Sequence, residues 1–237
     1  MLISAAVCPH PPLLIPELGG RTAAELDELR AACAAAIDAV RATEPELLMV
    51  IGAGESTRRY GPGAGGSFTA YGVDVPVSLP GVGDTSNGED LPLSIAVGAW
   101  LLGMAGWTGD VPAQAVSESS PAKECQRLGI QLAQQTDRLG LLVMGDGPAG
   151  RSTAAPVFVD TRAEGFDAAV REALRTADPA ALMALDATVG TELRAVGRAP
   201  WQVLAGAAGE AVFDADLLYD DAPYGVGYFV AVWERHG

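Results

Sequence analysis

The chain contains two histidines, and one of them, His10, occupies a position that suits chemistry. It lies between Pro9 and Pro11, whereas His236 is the penultimate residue. Because proline restricts the backbone, the imidazole of His10 is presented at a small cost in entropy. Such a histidine suits a metal ligand or a general acid or base. A hydrogen bond to loop carbonyls would instead make it structural, and both interpretations stay open on these residues alone.

Three carboxylates occupy comparable places, each just after a β-rich run. They are Glu55, Glu118 and Asp146. Asp146 could act with His10 as a catalytic acid or base, and Glu55 could join His10 in binding a metal ion. The structural alternatives are an Asx turn at Asp146, which lies between two glycines, and capping of the following segments by the two glutamates.

Three arginines stand out in an acidic chain because they fall in or near these loops. Arg58, Arg59 and Arg151 present guanidinium groups that can bind a substrate carboxylate through two parallel hydrogen bonds. They are therefore the predicted substrate-binding residues. The alternative is that they pair with nearby acids or remain solvated, as loop arginines usually do.

The elements that must position these side chains alternate between short β-rich runs and helical segments. The β-rich runs are 2–7, 47–51, 73–78, 113–117, 141–144, 211–218 and 226–232. Between many of them, apolar residues recur at helical spacing, and Thr22 with Glu25 forms a capping box that predicts a helix beginning there. The alternation predicts one α/β domain over residues 1–237, with a mostly parallel central sheet flanked by helices.

The ends of the predicted parallel strands indicate where a ligand would bind. In an open α/β sheet, ligands bind beyond the carboxyl ends of the strands. The loops 8–12, 52–56 and 145–151 each follow a predicted parallel strand, so the sequence predicts that they share one edge of the sheet. The candidate residues that they carry would then converge on one crevice.

Charge and composition restrict the partners of the chain. Fifteen Lys and Arg residues against thirty Asp and Glu give a net charge of −15 and a pI near 4.4. Such a surface repels phosphate backbones and anionic lipids, so neither nucleic acid nor a membrane is expected as a partner. Three cysteines without a Cys-x-x-Cys pair fit reduced thiols in a cytoplasmic protein. A small-molecule ligand and a homodimer are the expected partners.

Several segments resemble the class III extradiol ring-cleavage dioxygenases of the catalytic B-subunit type. Residues 5–16 are similar to the start of that family, where a strand ends in Pro-His-Pro and the histidine binds iron. Residues 48–54 look like its second strand, 141–151 like its Ser-Gly-Asp-x-Ser-His-Arg segment, and 222–228 like its last strand. The resemblance covers nearly the whole chain. It implies a class III extradiol dioxygenase-like domain with an Fe(II) site in which His10 is a ligand.

The same resemblance shows which residues of the iron site this chain lacks. The second histidine of the family should follow the second strand, where residues 52–55 are Gly-Ala-Gly-Glu, and its acid–base histidine should fall near Ala149. The resemblance therefore predicts a divergent member that has lost the two-His-one-carboxylate site and binds a small molecule in the ancestral crevice without a cofactor. The alternative is an active metal-dependent oxidoreductase in which His10, Glu55 and Asp146 hold Fe(II) or another divalent metal. The sequence leaves open whether the chain is an enzyme.

Overall fold

The structure is a computed structural model that describes residues 1–83, 90–151 and 159–236. Its strands are β1 (Leu2–Cys8), β2 (Leu47–Gly54), β3 (Arg58–Tyr60), β4 (Gly65–Ser67), β5 (Pro76–Ser78), β6 (Ala113–Ser117), β7 (Leu139–Met144), β8 (Phe213–Asp221) and β9 (Tyr228–Arg235). Its α-helices are α1 (Pro16–Gly19), α2 (Asp27–Ala42), α3 (Leu93–Met104), α4 (Ala122–Ala133), α5 (Arg162–Arg175), α6 (Pro179–Met183), α7 (Ala187–Glu192) and α8 (Arg198–Ala208). Short 3-10 helices cover Pro12–Leu14, Gly20–Leu26 and Thr69–Tyr71.

Across the described residues, seven strands form the central sheet in the order β3-β6-β2-β7-β1-β9-β8. The strands β6, β2, β7 and β1 pair in parallel. β3 pairs antiparallel with β6 at one edge, and β9 pairs antiparallel with both β1 and β8 at the other. Because β8 therefore points the same way as β1, five of the seven strands share one direction. The predicted α/β fold, a single domain with a mostly parallel central sheet between helices, is confirmed.

Several predicted β-rich runs differ from the strands that form. Of the run 73–78, only β5 becomes a strand, and it pairs with β4 in a separate two-stranded sheet. The run 211–218 starts later and continues to Asp221 as β8, because pairing with β9 resumes after a bulge between Leu217 and Tyr219. Strand pairing, which depends on the partner strand, sets these boundaries.

Helices cover both faces of the sheet, so a hydrophobic core lies on each side. On one face, α2 and α3 pack on the strands, and Leu29, Cys33 and Ile37 of α2 form a buried stripe at four-residue spacing. On the other face, α4, α5, α6 and α8 pack around Trp201. β7 is buried along its whole length because both of its faces are covered. Among the helices that the structure describes, none combines the length and the hydrophobicity that crossing a bilayer requires.

The predicted start of an α-helix at Thr22 is wrong. Residues Gly20–Leu26 form a 3-10 helix, and α2 begins at Asp27. The hydroxyl of Thr22 donates a 3.0 Å hydrogen bond back to the carbonyl of Gly19 instead of capping the turn ahead of it. A capping box describes only the residues of one turn, so it does not distinguish an α-helical from a 3-10 first turn.

The helices α4 and α8 cross at close range because each carries a glycine at the contact. A Cβ atom on Gly129 would collide with the carbonyl oxygen of Val203 and lie 2.6 Å from the nitrogen of Ala207. A Cβ atom on Gly206 would lie 2.7 Å from the Cα of Gln126. These neighbours are backbone atoms, which cannot rotate away, so a side chain at either position must push the helices apart.

Gly129→Ala should therefore destabilise the fold. Overpacking a tight core contact costs about 1–3 kcal/mol, and we expect a loss of that size in the free energy of unfolding, measured by urea denaturation. Gly103→Ala is the matched control, because Gly103 lies in α3 with no atom within 4 Å of an added Cβ. Its alanine should raise the free energy of unfolding by about 0.5–1 kcal/mol through higher helix propensity. Equal effects of the two substitutions would contradict the close packing of α4 on α8.

Candidate functional site

A cavity of about 620 Å³ opens at the carboxyl ends of the parallel strands. The residues that follow β1, β2, β6 and β7 line it, together with the start of α3. Its lining includes His10, Glu55, Arg58, Glu118 and Asp146. The predicted convergence of the strand-end loops on one edge is therefore confirmed. A volume of this size lies within the range of ligand pockets, roughly 300–1,000 Å³.

His10 and Asp146 meet because β1 and β7 pair in parallel. Cys8 lies opposite Met144 in that pairing, and each site residue follows two positions later. The backbone N–H of His10 donates a 2.7 Å hydrogen bond to Oδ1 of Asp146, and the same oxygen lies 3.6 Å from Nδ1 of the imidazole. His10 is only 5% exposed, and its Nδ1 is buried without a hydrogen-bond partner in the described structure. The carboxylate thus fixes the backbone of His10 and places negative charge beside its ring.

The loop that carries Asp146 is held by backbone hydrogen bonds on both sides. The N–H of Gly145 donates to the carbonyl of Cys8, and the carbonyl of Asp146 accepts from the N–H of Gly197, each at 2.9 Å. Burial raises the pKa of Asp146, because a carboxylate is poorly solvated there, while the charge and the backbone N–H of His10 oppose that shift. The carboxylate of Asp146 accepts from the backbone of His10, in the loop after β1. A local Asx turn was the structural alternative.

Glu55 and Glu118 form a second pair, at the ends of the neighbouring strands β2 and β6. Gly54 lies opposite Ser117 in that parallel pairing, and each glutamate comes one residue later. The N–H of Glu118 donates to the carbonyl of Gly54 at 3.3 Å, which joins the two loops. Both glutamate side chains are exposed and line the cavity. The helix that follows, α4, begins at Ala122 without a side-chain cap, so Glu118 does not cap it.

A buried arginine, which the sequence analysis did not single out, holds the Glu118 loop. Arg198 at the start of α8 donates to the carbonyls of Glu118 and Ser120, the latter at 2.6 Å, and to Oε1 of Gln202 at 3.1 Å. Burial lowers the pKa of this guanidinium, although these acceptors solvate its charge. Gln202 donates in turn to the carbonyl of Leu185 at 2.9 Å. A polar pair at i, i+4 spacing within an otherwise apolar helix is the sequence signal that identifies this network.

The three predicted substrate-binding arginines lie in different places. Arg58 lines the cavity, with its guanidinium carbon 5.3 Å from the centre of the Tyr60 ring. Arg59, the next residue of β3, donates to Oε1 of Gln135 at 3.2 Å. Arg151 forms an ion pair with a buried carboxylate of α5. Of the three, only Arg58 is among the described residues that line the cavity.

Asp167 of α5 is the buried partner of Arg151, at 2.9 Å. Its side chain has no exposed surface, and an added Cβ on Gly147 or Gly227 would lie 2.6 Å or 2.5 Å from Oδ1. Close approach of the carboxylate therefore requires glycine at both positions. Burial raises the pKa of Asp167 to about 7, although the charge of Arg151 opposes that shift. Asp167 thereby joins α5 to the loop that carries Asp146.

The residues at this edge of the sheet do not fit the iron site that the resemblance implies. Among the described residues, no three of His, Cys, Asp and Glu come together in a way that could hold a metal ion. In the segment where the second imidazole should lie, a Cβ on Gly52 would collide with the hydroxyl of Ser94. Near the position where the resemblance implies the acid–base histidine, Ala149 donates its N–H to the carbonyl of Leu193 at 2.9 Å. His10 is the one histidine among the described residues that line the cavity.

Comparisons with known proteins bear on the fold. No family model matches the chain, and no curated protein matches it. The crystal structure of the uncharacterized protein JW3007 from Escherichia coli K12 is similar, with a TM-score of 0.55 at 14% sequence identity. The similarity covers 98% of this chain and 99% of that chain. A likeness at this identity shows that the two proteins share a fold over nearly their whole lengths.

Asp167→Asn should flatten the dependence of stability on pH. The folded state raises the pKa of Asp167 from its ordinary value of 3.8 to about 7 and so holds its proton to higher pH than the unfolded state does. The free energy of unfolding contributed by this group is therefore greatest below the unfolded pKa and falls as the pH rises toward 7. Denaturation at intervals from pH 4 to pH 7 measures the slope, which the substitution should make less negative.

Asp160→Asn is the matched control for that measurement. Hydrogen bonds from the side chain and backbone of Arg162 lower the pKa of Asp160 to about 2, so its titration in the folded protein lies below the tested range. Its substitution should leave the slope between pH 5 and pH 7 unchanged, because the carboxyl is ionised there in the unfolded state as well. An unchanged slope in Asp167→Asn would show that the buried carboxyl does not bind its proton more tightly in the folded protein.

Proposed function

We propose that this chain is a divergent relative of the class III extradiol dioxygenases that binds a small molecule in the cavity and no longer carries an iron site. The observation that carries the proposal is a buried imidazole, His10, paired with Asp146 in the wall of an open cavity at the carboxyl edge of the sheet. Ligands bind at this edge in open α/β sheets, which supports the same place. The missing imidazoles favour binding over iron chemistry.

The contact between His10 and Asp146 determines what the imidazole offers a ligand. A carboxylate beside Nδ1 favours the tautomer that carries its proton there, because a lone pair on Nδ1 would face the lone pairs of the oxygen. Nε2 is then the remaining basic atom of a ring that lines the cavity. It accepts a hydrogen bond from a hydroxyl or ammonium group of the ligand.

The two histidines of the chain allow a direct test of binding. His10 lines the cavity, whereas His236 is exposed near the end of the chain with its Nδ1 3.0 Å from Oδ2 of Asp214. We expect fragments from a chemically mixed library to shift the imidazole NMR resonances of His10 and leave those of His236 in place. His10→Ala, which removes the proposed acceptor, should weaken the binding of such fragments at least ten-fold. Fragments that move both histidines equally, or neither, would contradict the proposal.

Loss of the iron site predicts a negative result with the substrates of the family. After anaerobic incubation with Fe(II) and removal of free metal, we expect less than one tenth of an equivalent of iron on the protein by elemental analysis. We also expect no ring-cleavage product from catechol or protocatechuate. Stoichiometric iron together with enzymatic turnover that His10→Ala abolishes would overturn the proposal in favour of an active dioxygenase.

A further inference from the structure

The rim of the cavity carries an excess of negative charge. Glu55, Asp90 and Glu118 are exposed carboxylates that line it, and Arg58 provides the one guanidinium among its described lining residues. Asp90 was not found from the sequence, because it precedes a helix and does not follow a strand. A cavity whose walls exclude water on one side focuses the field of such charges, so the rim attracts cations and repels anions.

The inner part of the same cavity supplies apolar surface. Pro92 and Leu93 at the start of α3 and Val196 just before α8 are half-buried and line it. A metal ion gains nothing from such a wall, whereas the hydrocarbon body of an organic ligand loses its contact with water there. The cavity thus combines a negative rim with an apolar wall.

His10 provides a second, independent indication of what the cavity binds. It is more than nine-tenths buried, it lines the cavity, and its Nδ1 is unpartnered in the described structure. When the ring is neutral and its proton lies on Nδ1 beside Asp146, Nε2 accepts a hydrogen bond and cannot donate one. A carboxylate or phosphate has no hydrogen to give it, whereas an ammonium group has.

The spacing of the carboxylates distinguishes an organic cation from a metal ion. Within the described ranges, no three acidic, histidine or cysteine side chains converge closely enough to hold a metal. Glu55 and Glu118 come instead from adjacent loops at equal register, one residue beyond Gly54 and Ser117. The negative charge is therefore spread along the wall, and Arg198 fixes part of that wall through the carbonyl of Glu118.

We propose that the cavity binds an amphiphilic organic cation, a primary ammonium group on an aromatic or aliphatic body. The ammonium lies between Nε2 of His10 and the carboxylates of Glu55 and Glu118, and the body lies against Leu93 and Val196. This inference rests on the proposed function and adds the chemical class of the ligand. It requires that charge, and not only size, decides which molecules bind.

Three probes of nearly equal size and different charge test the inference on the full-length protein. They are 2-phenylethylamine, 2-phenylethanol and phenylacetate, titrated by NMR with the His10 resonances and the cavity amides as readouts. We expect the amine to bind at least ten-fold more tightly than either other probe, and to weaken as NaCl is raised because salt screens the rim. Mg²⁺ alone should produce no saturable shift.

Matched substitutions identify the carboxylates responsible. Glu55→Gln and Glu118→Gln keep the size of the side chain and remove its charge, and each should weaken binding of the amine about two- to five-fold, as expected for a partly exposed ion pair. The double variant should weaken it by about the product of the two. Glu210→Gln is the control, because Glu210 is exposed and lies outside the described lining of the cavity. Circular dichroism of each variant shows whether its fold is retained.

The outcomes of these experiments distinguish failure of this inference from failure of the proposed function. If phenylacetate or phenylethanol binds as tightly as the amine and shifts His10, the cavity binds small molecules without selecting cations, and only this inference fails. If the amine binds but both glutamine variants bind it normally, the rim does not select it, and the inference fails again. If neither the three probes nor any fragment of the mixed library shifts His10, the proposed function fails as well.

Discussion

The parallel pairing of β1 with β7 is the constraint on which the site depends. Its register places Cys8 opposite Met144, so that His10 and Asp146 leave the sheet level with each other. The 2.7 Å hydrogen bond from the backbone of His10 to Oδ1 of Asp146 then joins two loops that are 136 residues apart in sequence. In the same way, the parallel pairing of β2 with β6 places Glu55 level with Glu118. A shift of one residue in either pairing would turn these side chains to other faces of the sheet.

Buried polar contacts on the helical side keep these loops in place. Arg198 on α8 holds the loop after β6 through two carbonyls, and Asp167 on α5 packs against the loop after β7. Arg198 is a buried charge and Asp167 a buried carboxyl, and each is costly to bury without polar partners, so a shift of either helix that breaks these contacts would be costly. The close packing of α8 on α4 at Gly129 adds a steric limit to the same helix. The rigidity of the cavity wall is therefore set outside the cavity.

The sequence predicts the class of the fold and which loops meet, because alternation of strands and helices is a local pattern and the strand-end rule follows from topology. His10, Glu55 and Asp146 are found in this way. Register and long-range partners are different, since nothing near Asp146 in sequence indicates that its carboxylate binds the backbone of His10. Arg151 likewise pairs with Asp167, a residue of another element. The residues around Thr22 do not distinguish a 3-10 from an α-helical first turn.

Packing and backbone contacts at Gly52 and Ala149 bear on the two positions where the resemblance implies further histidines. Ser94 donates from its hydroxyl to the carbonyl of Ala53 at 2.6 Å and fills the space beside Gly52 that a side chain would need. At the other position, Ala149 forms an isolated bridge with Val226, so its backbone contributes to the loop structure. The space beside Gly52 is therefore filled by Ser94, while His10 borders the cavity on the neighbouring part of the same sheet edge.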